Sequence, residues 1–116
     1  MSVTTAEVAE IIRGVSTRVI DPGFRRLSPD QIHEKAPGDL VTDLDRQAEG
    51  ELSRLLTSAG GGIVVGEESV HDDASVLQEL PTAELAWVID PIDGTKNYVN
   101  GSTHHAVMVA EVQHGG

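Results

Sequence analysis

Apolar residues recur along this chain in two rhythms, and the change between them divides it. Val8, Ile11, Ile12, Val15 and Val19 fall at three- and four-residue steps, which predicts an amphipathic helix over roughly residues 4 to 20. Asp21-Pro22-Gly23 is expected to end it, since both Pro and Gly disfavour continuation. Residues 22 to 39 hold three prolines among mixed charges and read as a loop with a short helical turn. The helical rhythm resumes with Leu44, Ala48, Leu52, Leu55, Leu56 and Ala59. Thr42 is placed to be its N-cap, and Gly60-Gly61-Gly62 its stop.

Beyond those glycines the apolar runs become short and unbroken. Ile63-Val64-Val65 predicts a buried strand ending at Gly66-Glu67-Glu68, followed by an acidic linker from Val70 to Ala83. Leu85-Ala86-Trp87-Val88-Ile89 predicts a second strand, of the kind covered on both faces, halting at Asp90-Pro91. Ala106 to Val112 is a third candidate strand. A strand buried on both faces needs neighbours that two helices do not fully supply, so the chain is expected to be cut short of a complete fold.

Composition narrows the chemistry. Hydrophobic residues make up 39% of the chain and aromatics only 3%, so the core must be built mainly from Val, Leu, Ile and Ala. With no cysteine, disulfides and thiolate metal sites are excluded. The formal charge is −11, which repels nucleic-acid backbones and anionic membranes. No apolar run reaches spanning length, and the first residues lack a signal pattern. A cytoplasmic protein without nucleic-acid or membrane partners is expected.

The carboxylates carry the most specific signal, in Trp87-Val-Ile-Asp90-Pro91-Ile92-Asp93-Gly94-Thr95-Lys96-Asn97-Tyr98. An apolar strand would deliver Asp90 to its carboxyl end, and Asp93 follows three residues on. With the Ile92 carbonyl between them, this oxygen-only set suits a hard cation such as Mg²⁺. The Gly94 and Thr95 amides, at the start of a helix that Thr95 is placed to cap, would suit a phosphate oxygen. Taken alone, Asp-Pro-Ile-Asp-Gly reads better as a well-formed turn. Gly66-Glu67-Glu68-Ser69 follows a different strand. If the two strands run parallel in one sheet, Glu67 and Asp90 emerge at the same edge, where ligands of open α/β sheets collect. A solvated acidic loop is the competing reading, most of all for Glu68.

In Lys35-Ala-Pro-Gly-Asp39-Leu-Val-Thr42-Asp43-Leu-Asp45, Thr42 and Asp45 have capping-box spacing. Asp45 is also a candidate metal or water ligand, and Lys35 a counter-charge. Asp43 lies about 200° around a helix from Asp45 and is expected to face solvent. The five histidines show no zinc spacing and read as surface or strand-end residues. Ser69 lacks a nucleophile-elbow context.

Together and in this order, Asp39–Asp45, Gly66–Ser69 and Trp87–Thr95 resemble the inositol monophosphatase family, with Asn97–Gly101 and Ala106–Ala110 similar to its continuation. The resemblance implies a layered α/β (α+β) fold of sugar-phosphatase type, of which residues 1–116 are the N-terminal part, with the C-terminal α/β half absent. It implies Mg²⁺-dependent hydrolysis of a phosphate ester such as inositol 1-phosphate. Histidinol phosphate, fructose 1,6-bisphosphate or a 3′-phosphoadenosine nucleotide are the alternative substrates. Glu67, Asp90 and the Ile92 carbonyl would hold one metal, Asp90 and Asp93 would bridge to a second, and Asp45 would support a third. Thr95 with Asp45 or Glu67 would orient the attacking water, and Gly94 and Thr95 would meet the phosphate. The family's W-D-x-A-A-G-type segment is not in this sequence. The chain is therefore expected to be inactive alone or to need a partner, either the missing half or a second copy, with a non-catalytic cation-binding or interaction module as the alternative.

Overall fold

A computed structural model of the chain describes residues 3–114. Helix α1, Thr5–Val15, opens with a capping box in which the Glu7 amide donates to Thr4 Oγ1 at 3.1 Å. The helical stretch ends at Asp21-Pro22-Gly23, as expected, but not as one plain α-helix. The chain widens into a π-helical turn over Ser16–Ile20 and stays helical through the short α2, Asp21–Gly23. Proline lacks an N–H and crowds the carbonyl four residues back, and a wider turn is a common way to accommodate it. The chain becomes extended only at Phe24.

The predicted loop before Thr42 holds a hairpin. Strands β1, Ile32–Ala36, and β2, Asp39–Thr42, pair antiparallel around Pro37-Gly38, with a register shift between Glu34 and Ala36. Burial along β1 does not alternate, so the hydrophobic pattern could not announce it. Helix α3, Asp43–Gly60, follows with the expected Thr42 cap.

The second sheet has the order β3-β4-β5, with β3 Ile63–Gly66, β4 Leu85–Asp93 and β5 Ala106–Gln113. β3 runs parallel to β4, and β5 antiparallel. β4 does not halt at Asp90-Pro91. It continues to Asp93 across a register shift between Asp90 and Asp93, where Pro91 costs no ladder bond. The acidic linker is partly helical: α4 spans Glu67–Asp72, and 3₁₀ turns cover Ala74–Gln78 and Leu80–Thr82. A final short helix, α5, spans Thr95–Val99.

One core serves all of this. Val15, Val19 and Ile20 meet Ala48, Leu52 and Leu56 of α3 against Trp87 and Ile89 of β4, with Ile92 and Tyr98 at one end. Trp87 is fully buried, and its indole N–H donates to the Gly61 carbonyl at 3.0 Å. The Tyr98 hydroxyl donates to the Ile20 carbonyl at 2.5 Å, tying α5 to the end of the π-helical turn. Burial pushes that phenol up to about 12. The opposite face of the sheet is open. There Val65, Val88, Met108 and Ala110 line a shallow apolar cavity of about 540 Å³, and Met108 is half exposed. Among the described residues α1 and α3 cover the other face, and of α4 only Glu67 and Val70 reach this one. No helix among the described residues is long and apolar enough to cross a membrane.

Candidate active site

The register of β3 on β4 decides the geometry. Gly66 lies opposite Ile89, so Glu67 and Asp90 leave the sheet side by side at its carboxyl edge. Glu67, Asp90, Ile92, Asp93, Gly94, Thr95 and Lys96 line one polar cavity of about 230 Å³, closed on another side by Gly38, Asp39 and Leu40 of the hairpin. Three separated stretches of sequence thus reach a single place, as expected. Gly94 makes the turn possible. Its φ is 86°, and a Cβ there would lie 2.8 Å from the His104 carbonyl oxygen.

Asp90 is the most perturbed group. Burial, the Glu67 carboxylate beside it, and the negative charges of Asp93 and Asp45 push its carboxyl up to about 8. Its Oδ1 is buried with no hydrogen-bond partner. The neighbouring Asp90 carboxyl, and then Lys35, hold Glu67 below its usual value against the opposing effect of burial. Among the described residues, no three His, Asp or Glu side chains stand close enough together to enclose an ion unaided. The donor types nonetheless fit a hard cation, because Glu67, Asp90, Ile92 and Asp93 bring oxygen donors to one cavity and one Asp90 oxygen is buried without a partner.

Asp45 sits behind this cavity, 1% exposed. Its Oδ2 accepts from the Thr42 amide at 2.8 Å and the Thr42 hydroxyl at 2.5 Å, so the capping box is real. Its Oδ1 accepts from the Thr95 hydroxyl at 3.0 Å, and Thr95 also lies 3.0 Å from the Ile92 carbonyl. Asp45 thus completes the capping box of α3, whose N-cap is Thr42, and also bonds Thr95, which lines the cavity. Thr95 does not cap α5. Gly94 occupies that position, and the Thr95 side chain turns back toward Asp45 and Ile92. Burial raises the Asp45 carboxyl, opposed by the hydrogen bonds from Thr42 and Thr95.

Lys35 is a counter-charge, as expected, and a buried one. Its ammonium lies 3.3 Å from both Glu67 and Glu68, with its side chain only 6% exposed. Burial alone would lower it, but Glu68 and Glu67 hold it above the usual lysine value. Glu68 is not a solvated loop residue: it is buried, and burial raises its carboxyl despite Lys35. Asp43 is exposed as expected and pairs with His33 Nε2 at 2.7 Å. His105 departs from the surface reading, since its ring packs between Phe24 and Tyr98.

Sequence reasoning missed Glu49. It is buried on the same face of α3 as Asp45, one turn on, and accepts from the Glu68 and Ser69 amides at 2.9 Å each. A polar residue continuing the buried stripe of Ala48, Leu52 and Leu56 was the available signal.

The chain is 33% identical over 108 residues to the fructose-1,6-bisphosphatase/inositol-1-monophosphatase of Aquifex aeolicus, covering 92% of this chain and 38% of that protein. It is 40% identical over 85 residues to inositol monophosphatase 1 of Sus scrofa, covering 72% and 29%. Similarity extends to Nus factor SuhB of Pseudomonas aeruginosa, 37% identical over 88 residues, covering 75% and 31%. In structure it resembles the Thermotoga maritima IMPase with a TM-score of 0.74 at 23% identity, covering 91% of this chain and 38% of that one. The chain thus spans less than two-fifths of the length of these relatives. The inositol monophosphatase family model matches residues 2–116, and this chain belongs to that family.

Proposed function

We propose that this chain carries the metal-binding part of a Mg²⁺-dependent phosphomonoesterase acting on a small phosphate ester, inositol 1-phosphate first among them. The observation that carries this reading is the buried, unpartnered Oδ1 of Asp90, set among carboxylates that drive its proton affinity up. Such a cluster destabilises the fold unless a cation relieves it. Glu67, Asp90, Asp93 and the Ile92 carbonyl would hold the ion. When bound, Mg²⁺ would polarise the phosphoryl oxygens and lower the pKa of a water.

The chain's own groups supply the rest. Thr95 Oγ1 lines the cavity and is hydrogen-bonded to Asp45 Oδ1. It can accept a hydrogen bond from the attacking water and pass a proton to Asp45, whose raised carboxyl suits a proton acceptor. The water oxygen forms the new bond to phosphorus, the ester P–O bond breaks, and the departing oxygen takes up a proton. Gly94 and Thr95 offer backbone N–H donors to the phosphate, and Lys96 at the same cavity adds positive charge. Contacts to the ring or sugar would come from the part of the family's length that this chain does not span. Histidinol phosphate, fructose 1,6-bisphosphate and 3′-phosphoadenosine nucleotides would follow the same chemistry.

The test is phosphate release from inositol 1-phosphate and histidinol phosphate, alongside calorimetric Mg²⁺ binding, for the wild-type chain and Asp90→Asn. Mg²⁺-dependent turnover lost in Asp90→Asn would mean that these 116 residues hold a working site, alone or between copies. Mg²⁺ binding without turnover would keep the metal part and assign the remaining contacts elsewhere. Absence of Mg²⁺ binding would sink the proposal.

A further inference from the structure

Glu49 does not line the polar cavity, yet its buried carboxylate is pressed against the β3–α4 junction from which Glu67 emerges. Its two oxygens accept from the Glu68 and Ser69 amides at 2.9 Å each, one bond per oxygen. Gly66 is needed for this approach, because a Cβ there would lie 2.3–2.6 Å from the Glu49 carboxyl atoms. Ser69 closes the junction from the other side: its hydroxyl donates to the Gly66 carbonyl at 3.1 Å and accepts from the Gly66 amide at 3.2 Å. Glu67 lies between Gly66 and Glu68, so its backbone is fixed on both flanks.

We infer that Glu49 is a positioning residue: it fixes where Glu67 presents its carboxylate, acting through the backbone at the start of α4. The inference rests on the reading of Glu67 as a cation ligand. It makes α3 the common support of the site. Asp45 braces Thr95 on the β4 side, and one turn later Glu49 braces Glu67 on the β3 side. A side chain that orients a ligand from behind commonly changes metal affinity by 10–100-fold when removed.

Two substitutions attack the same contact from opposite sides. Glu49→Gln keeps the volume but turns an N–H₂ toward one of the two amides, and Gly66→Ala drives a methyl into the carboxylate. Each is expected to weaken Mg²⁺ binding about tenfold or more in calorimetry below the unfolding transition. The two combined should do little more than either alone, since they break one contact. Hydrogen exchange at the Glu68 and Ser69 amides should accelerate in both. Leu56→Ala, in the core away from the site, should lower Tm but leave Mg²⁺ affinity unchanged. Wild-type Mg²⁺ affinity in both Glu49→Gln and Gly66→Ala, or an equal loss in Leu56→Ala, would reduce Glu49 to a structural role and overturn the inference. If the wild-type chain binds no Mg²⁺, the cation reading of the site fails instead. The positioning claim is then decided by exchange: unchanged protection of Glu68 and Ser69 in Glu49→Gln overturns it.

Discussion

The two ends of α3 use one buried stripe for opposite purposes. Toward the C-terminus, Leu52 and Leu56 pack on Trp87 and Ile89, and every contact there stabilises the fold. Toward the N-terminus, the same stripe continues as Asp45 and Glu49, buried carboxylates that bond Thr95 and the start of α4. Burying carboxylates costs stability, as the raised Asp45 shows. The apolar end fixes the helix on the sheet firmly enough for the acidic end to be held at the sheet's carboxyl edge. Stability and site are thus segregated along a single helix.

Breaking the apolar end should have the largest effect. Leu52→Ala removes a fully buried side chain and should cost about 2–5 kcal/mol in chemical denaturation, with Mg²⁺ affinity of the folded chain unchanged. Asp45→Ala removes the reciprocal half of the α3 capping box and leaves the Thr42 amide without its carboxylate partner. It should cost about 1–3 kcal/mol in the same experiment, and unlike Leu52→Ala it should also impair turnover wherever turnover is found.

Asp90→Asn should act in the opposite direction. A carboxyl held protonated in the folded chain but ionised in the unfolded one loses stability as pH rises from its ordinary 3.8 through about 8. Glu67 has the opposite sign, but its lowered value confines its effect to acid pH. Denaturation without metal across pH 5 to 8.5 should therefore show wild-type stability declining and Asp90→Asn staying flatter. A decline shared by both chains would remove Asp90 as the cause. The smallest effect is expected at the exposed rim of α3. Arg18→Ala, which loses a 3.2 Å pair with Glu51, should change stability by no more than about 0.5 kcal/mol.

The apolar pattern was enough to read α1, α3 and the three strands of the second sheet, because the helices bury residues at helical spacing and the strands are short unbroken apolar runs. The hairpin was hidden, since β1 shows no alternation and depends on its turn and register shift. The π-helical turn was hidden too, because Pro22 signals an interruption without saying whether the helix stops or widens. At the site, Asp90, Ile92, Asp93 and Thr95 were legible as one short segment at a strand end, and Glu67 through the parallel pairing of two apolar runs. What could not be read were contacts between distant elements. The bond from Thr95 to Asp45 spans 50 residues, and that from Glu68 to Glu49 spans 19. Glu68 shows the same limit, because its pairing with Lys35 joins residues 33 apart in the chain.

The most direct test of a cation-relieved carboxylate cluster is Tm at pH 8.5 with and without millimolar Mg²⁺, for the wild-type chain and Asp90→Asn. Selective binding to the folded state should raise the wild-type Tm with Mg²⁺ concentration and leave Asp90→Asn unmoved. A wild-type Tm indifferent to Mg²⁺, or an equal rise in both chains, would contradict the assignment of the ion to Asp90.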